Sequence, residues 1–161
     1  MSPKSPIDLL TRDIRKDPME PRRNRGWEET RRDFVRRHPQ CEVCGHPATG
    51  EINVHHIIPF DIAASCGRPD LELDFRNLIT LCEGVWNHHH VVGHFGDWQS
   101  YNRHVRSDAK RPECMGQPGE KIRKMAWWAA EHQDRPERAR SAAPSDKADM
   151  KALLDRMFPP L

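Results

Sequence analysis

Cys41-Glu-Val-Cys44, His55-His56, Cys82, the run His88-His89-His90 and His94 carry the reactive side chains of this 161-residue chain. Seven of its ten histidines fall between residues 41 and 94. Imidazole and thiolate bind transition metals, and imidazole is the usual proton carrier near neutral pH. Two thiolates two residues apart can clamp one ion, and Gly45 behind them frees backbone N–H groups to face sulfur. Such a pair needs two further ligands, which Cys82 and His88 can supply. Metal binding and proton transfer are the expected chemistry.

The elements that must hold these residues are short. A helix is expected over 27–37, where Trp27, Thr30, Phe34 and Val35 recur at helical spacing, and Pro39 ends it. Residues 52–58 are β-prone, and neighbouring strand residues point to opposite faces. His55 and His56 therefore cannot both be simple core residues. Residues 60–76 read as a long connection containing Gly67, Pro69 and Cys66, followed by a second, antiparallel strand at 77–81. A short helix over about 86–95 would carry the histidine run. Residues 103–120 are polar and turn-rich, and Cys114 within them has no evident partner. A helix is expected at 121–132, with Trp127 and Trp128 packing the core, then a flexible stretch at 133–146 and an amphipathic helix at about 147–157.

A hydrophobic fraction of 36%, a charged fraction of 31% and a mean hydropathy of -0.88 make a lean core, for which a bound metal is a suitable staple. Five cysteines, three at metal-like spacings, favour a reduced, metal-bound state over a disulfide framework. The formal net charge of +2 permits a nucleic-acid partner without requiring one. No apolar run approaches a membrane span, and the first residues lack the apolar core of a signal peptide. A soluble, cytoplasmic protein with no membrane partner is expected. Arg22, Arg23, Arg25, Arg31 and Arg32 form a basic stretch that is either a solvated surface or a phosphate-contacting one.

The order Cys-x-x-Cys, His-His-Ile-x-Pro, Asn-Leu-x-x-Leu-Cys and then a histidine-rich helix resembles the HNH endonuclease family, over roughly residues 27–102. The resemblance implies an α+β fold: a ββα-metal (His-Me finger) core with a zinc knuckle, flanked by N- and C-terminal helices. It divides the chain into a flexible basic arm (1–26), a nuclease domain (27–102), a helical extension (103–132) and a linker with a terminal short helix (133–161). It assigns His56 as the general base and Asn77 as the residue that fixes the loop behind it. His55, His89 and His94 match the ligands of a catalytic divalent ion (Mg, Mn, Ni or Zn). Cys41, Cys44, Cys82 and His88 match a structural zinc site.

Two departures from the family pattern bear on these assignments. Val85 stands where the second cysteine of a pair beginning at Cys82 would fall, so His88 becomes the fourth zinc ligand. His90 and His94 are four apart and share a face of a regular helix, whereas His89 and His94 are five apart. Motif alignment favours His89, regular helix geometry favours His90, and His89 is taken because Gly93 can break the register. The implied activity is hydrolysis of nucleic-acid phosphodiester bonds, with double-stranded DNA as the expected partner. The alternative is a zinc-stapled nucleic-acid-binding module without cleavage. A delivered antibacterial nuclease toxin is a third reading.

Overall fold

The computed structural model describes residues 24–46, 52–132 and 147–161. Arg22, Arg23 and the stretch at 133–146 lie outside the described residues. The protein is a mixed α/β fold around one two-stranded sheet. Helix α1 (Trp27–Arg37) leads to strand β1 (Ile52–His56), helix α2 (Phe60–Ser65) and strand β2 (Leu78–Cys82). A π-helical turn follows (His89–Gly93), then α3 (Val105–Ala109), α4 (Gly119–Arg123), α5 (Ala126–His132) and α6 (Lys147–Met157). Among the described residues no helix is long and apolar enough to cross a membrane.

β1 and β2 pair antiparallel, with His55 opposite Ile79 and His56 opposite Leu78. All five residues of β2 are buried, because both faces of the sheet are covered. On one face Ile79 and Leu81 join Val91, Val92, Ile122 and Trp128 in the largest apolar cluster. On the other, Val54 and Leu78 pack with Trp27 and Phe34 of α1. Burying each such side chain is worth about 1.5–3 kcal/mol, so the sheet is held from two sides. Alternation along β1 then sends consecutive residues into different surroundings. His55 goes to the π-turn face and His56 to the α1 face.

Several expectations for the connections need correction. Residues 60–76 are not an extended loop: Pro59 starts α2, and short 3-10 turns at Pro69–Glu72 and Phe75–Asn77 follow it. Ile62, Ala63 and Leu71 form a second cluster here, one that short apolar runs in a polar segment conceal. The helix expected over 121–132 is two helices, α4 and α5, offset at Lys124 and Met125. The turn-rich stretch before it contains α3 and a 3-10 turn at Pro112–Cys114, and Cys114 is fully buried. Trp128 is in the core, as expected, while Trp127 is half-buried with the Arg111 guanidinium 4.2 Å from its ring.

Helix α6 docks on the second cluster through Leu154 and Phe158. Buried Arg68 clamps it there, donating to Asp155 Oδ1 (2.8 Å) and to the Phe158 carbonyl (3.1 Å). Helix α5 is tied back by His132, whose Nε2 lies 3.2 Å from Asp108 Oδ2. Glu131 completes an acidic group there, but Arg111 pairs with it at 2.5 Å, so the group is already charge-neutralised from within the chain.

Two candidate metal centres on one loop

Four donors converge at the end of the sheet. The ligand atoms of Cys41, Cys44, Cys82 and His88 all lie within 4.8 Å of one another. Cys44 Sγ is 3.8 Å from Cys82 Sγ, and His88 Nδ1 is 3.0 Å from Cys82 Sγ and 3.5 Å from Cys41 Sγ. A tetrahedral ion with Zn–S bonds of about 2.3 Å has S···S edges of about 3.8 Å, so the donor set fits zinc in type and in size. His88 Nε2 sits 2.7 Å from the Gln117 carbonyl, which as acceptor holds the proton on Nε2 and leaves Nδ1 for the ion. Cys41 is held as the thiolate, pulled down to about 3 chiefly by a hydrogen bond from Cys82. The same bond pushes Cys82 up, and burial pushes Cys44 up. Without an ion the group therefore holds one thiolate and two thiols, and a cation among the four donors would let Cys44 and Cys82 ionise as well.

The second group is His55, His89 and His94. Their ring centroids stand 4.8 to 5.2 Å apart, each pair edge to face. The polar atoms behind them select the nitrogens that face inward. His89 Nδ1 lies 2.8 Å from Glu83 Oε1, and the same carboxylate accepts from Asn53 Nδ2. His94 Nδ1 lies 2.7 Å from the Ser100 carbonyl. Each partner is an acceptor, so each Nδ1 carries the proton and Nε2 is left with a lone pair. His55 Nε2 is buried with no hydrogen-bond partner. A buried polar atom left this way is costly unless something binds it, and a divalent cation is what three neutral imidazoles can bind.

Electrostatics keep the rings neutral. Burial and the neighbouring imidazoles hold His55 well below its usual range. Burial also lowers His89, against the opposing pull of Glu83. It brings His94 down to about 4, against the Ser100 hydrogen bond. An unfolded imidazole titrates near 6.5. Between about pH 4 and 6.5 the unfolded chain therefore binds more protons, and stability rises with pH across that window. With no divalent ion added to the cluster, the melting temperature should fall as pH drops from about 6.5 to 5. His94→Gln, which cannot titrate, should flatten that slope, and thermal melts at several pH values check it.

The π turn explains why residues five apart cooperate. Bonding from i to i+5 stacks residues five apart, where an α-helix stacks those four apart. His89 and His94 thus share the face toward His55, and His90 turns away to stack on Trp98 at 4.5 Å. Gly93 permits the approach: a Cβ there would stand 3.2 Å from His55 Cε1 and from Leu81 Cδ1. Asn102 takes up the turn's far end, its backbone N–H donating to the Gly93 carbonyl (2.9 Å) and its Nδ2 to the Val92 carbonyl (2.9 Å).

His56 lies outside this triangle. Its Nε2 is 3.0 Å from the Glu72 carbonyl and its ring centroid 4.4 Å from that of Trp27. A proton on it would disfavour one on His55. Fully buried Asn77 locks the chain behind it, accepting from Ile58 N (2.9 Å) and donating to the Ile58 and Leu71 carbonyls (both 3.0 Å). Arg25 and Arg32 are exposed and Arg31 is half-buried on or beside α1, the helix whose Trp27 covers His56.

Residues 41–84 match the HNH endonuclease family. The match runs from the first knuckle cysteine through both strands to the residues just past Cys82. No curated protein and no solved structure matches the chain. The matched segment contains His55, His56, Asn77 and three of the four knuckle ligands. His88, His89 and His94 lie beyond it. Glu83, at its edge, escaped the sequence reading because a lone glutamate six residues before His89 has no periodic signal. Ser100 escaped it because it acts through its backbone. Glu83→Gln should weaken Ni²⁺ binding to the histidine cluster by about 10- to 100-fold, as loss of an outer-shell carboxylate does, without lowering zinc content; calorimetric titration measures it.

Proposed function

We propose that the protein is a metal-dependent HNH endonuclease that hydrolyses nucleic-acid phosphodiester bonds, with double-stranded DNA as the first substrate to test. The observation that carries this reading is the convergence of His55, His89 and His94, with His56 the next residue along the same strand. The core corresponds to a ββα-metal arrangement, in which the π turn takes the place of the family's helix. Cys41, Cys44, Cys82 and His88 hold a structural zinc.

His55, His89 and His94 would hold one divalent ion, which as a Lewis acid stabilises the charge developing on the phosphoryl and leaving oxygens. His56 accepts the proton of the attacking water. Donation of Nε2–H to the Glu72 carbonyl makes Nδ1 its basic nitrogen, and the tilted contact with Trp27 restrains the ring. The water oxygen bonds to phosphorus as the bond to the leaving oxygen breaks. Asn77 positions His56 by tying Ile58 to Leu71. Arg25, Arg31 and Arg32, with Arg22 and Arg23 before them, supply phosphate contacts that position the strand without reading its bases.

Supercoiled plasmid with Mg²⁺, Mn²⁺ or Ni²⁺ tests the reading: the protein should nick it and His56→Ala should not. Binding by both proteins with cleavage by neither would leave a zinc-stapled binding module.

A further inference from the structure

Trp98 is 57% exposed, one of the few large apolar side chains on the surface, and its position is specific. Its ring lies 4.5 Å from His90, 4.8 Å from His94 and 5.2 Å from His89. A side chain bounded by three imidazoles and still more than half exposed presents an aromatic surface to solvent at the rim of the histidine cluster. The loop beneath is built to hold it there. Asp97 Oδ1 accepts from Gln99 N (2.9 Å) and Oδ2 from Ser100 Oγ (3.2 Å), while the Ser100 carbonyl holds His94. The segment that orients a candidate ligand thus also aims the indole outward.

Positive charge flanks the same rim. A Cβ on Gly96 would stand 3.1 Å from Arg123 Nη1, so the Arg123 guanidinium borders this loop. Aromatic surface with adjoining cations is the combination that holds an unstacked nucleobase and its phosphate. An intact duplex keeps its bases inside the stack and cannot offer such a face without extruding one.

We propose that Trp98 stacks on an unpaired base next to the scissile phosphate, so that the enzyme favours nucleic acid with single-stranded character at the cut. This rests on the nuclease reading of the adjoining site. Base–aromatic stacking is worth about 1–3 kcal/mol, or about 5- to 150-fold in affinity.

The test uses the full chain carrying His56→Ala, so that bound strands survive. Affinity is read by fluorescence anisotropy for a labelled single-stranded oligonucleotide and for its duplex, and Ni²⁺ affinity by calorimetry. Adding Trp98→Ala should weaken single-strand binding within that range, and Trp98→Phe should restore most of it. Duplex binding and Ni²⁺ affinity should hardly move. Unchanged single-strand affinity in Trp98→Ala overturns the proposal, as does a parallel loss of Ni²⁺ binding, which would make the indole a shield for the imidazoles. Failure of the nuclease reading is seen separately, as absence of cleavage by the chain with His56 intact.

Discussion

Replacing His56 with alanine should lower plasmid nicking by about 10²- to 10⁴-fold, the usual worth of a positioned general base, while leaving divalent-ion binding at the histidine cluster unchanged. The separation follows from the strand. His55 and His56 are neighbours on β1, but His55 belongs to the three-histidine group and His56, at the half-buried end of the strand, does not. Removing the second ring leaves the triangle of His55, His89 and His94 intact and takes away only the imidazole in contact with Trp27, the proposed proton acceptor. His55→Ala should behave differently, losing nicking and ion binding together. Gel assays of nicking beside calorimetry of the same two variants check both statements. Equal nicking by His56→Ala and the parent would remove His56 from the chemistry.

Cys41→Ser should cost the protein its fold as well as its zinc. Structural zinc sites contribute about 10–16 kcal/mol in zinc-finger peptides, comparable to or larger than the roughly 5–15 kcal/mol net stability of a whole domain. The effect should reach the second centre because the two share a loop. Cys82 serves the knuckle and Glu83, the next residue, holds His89; His88 serves the knuckle and His89 the triangle. Gly84 and Asn87, both at positive φ (64° and 49°), make the reversals that let adjacent residues face different centres. Loss of the knuckle should therefore abolish nicking although none of its residues belongs to the histidine triangle. Zinc content, circular dichroism and nicking measured on the variant check this. A folded, zinc-free protein that still nicks would separate the two centres.

How much of this was legible beforehand depended on whether a residue's role is local. The ends of α1 could be read from Trp27, Phe34 and Pro39, because apolar periodicity and a proline stop act within the helix itself. The Cys41, Cys44, Cys82, His88 grouping was readable because thiolates at clamp spacing demand a closed set of four. The choice between His89 and His90 could not be made from periodicity, since an α-helical template favours His90 and the ring grouped with His55 and His94 is His89. It turned on a π turn that Asn102 stabilises from outside, a contact ten residues away in sequence. Glu83 and Ser100 were invisible for a related reason: one acts through hydrogen bonds to His89 and to distant Asn53, and the other through its carbonyl. The extension after residue 102 read as turns and one helix because its apolar residues pair with distant partners. Gly119 illustrates this, docking so closely that a Cβ would stand 2.9 Å from the Asn87 carbonyl.

Titration of the zinc-loaded protein with Ni²⁺, followed by calorimetry, tests the central claim most directly. The account predicts one further ion per chain, bound through His55, His89 and His94, with binding lost in His94→Ala and retained in His90→Ala. Absence of a further ion, or binding that depends on His90 and survives the loss of His94, would contradict it.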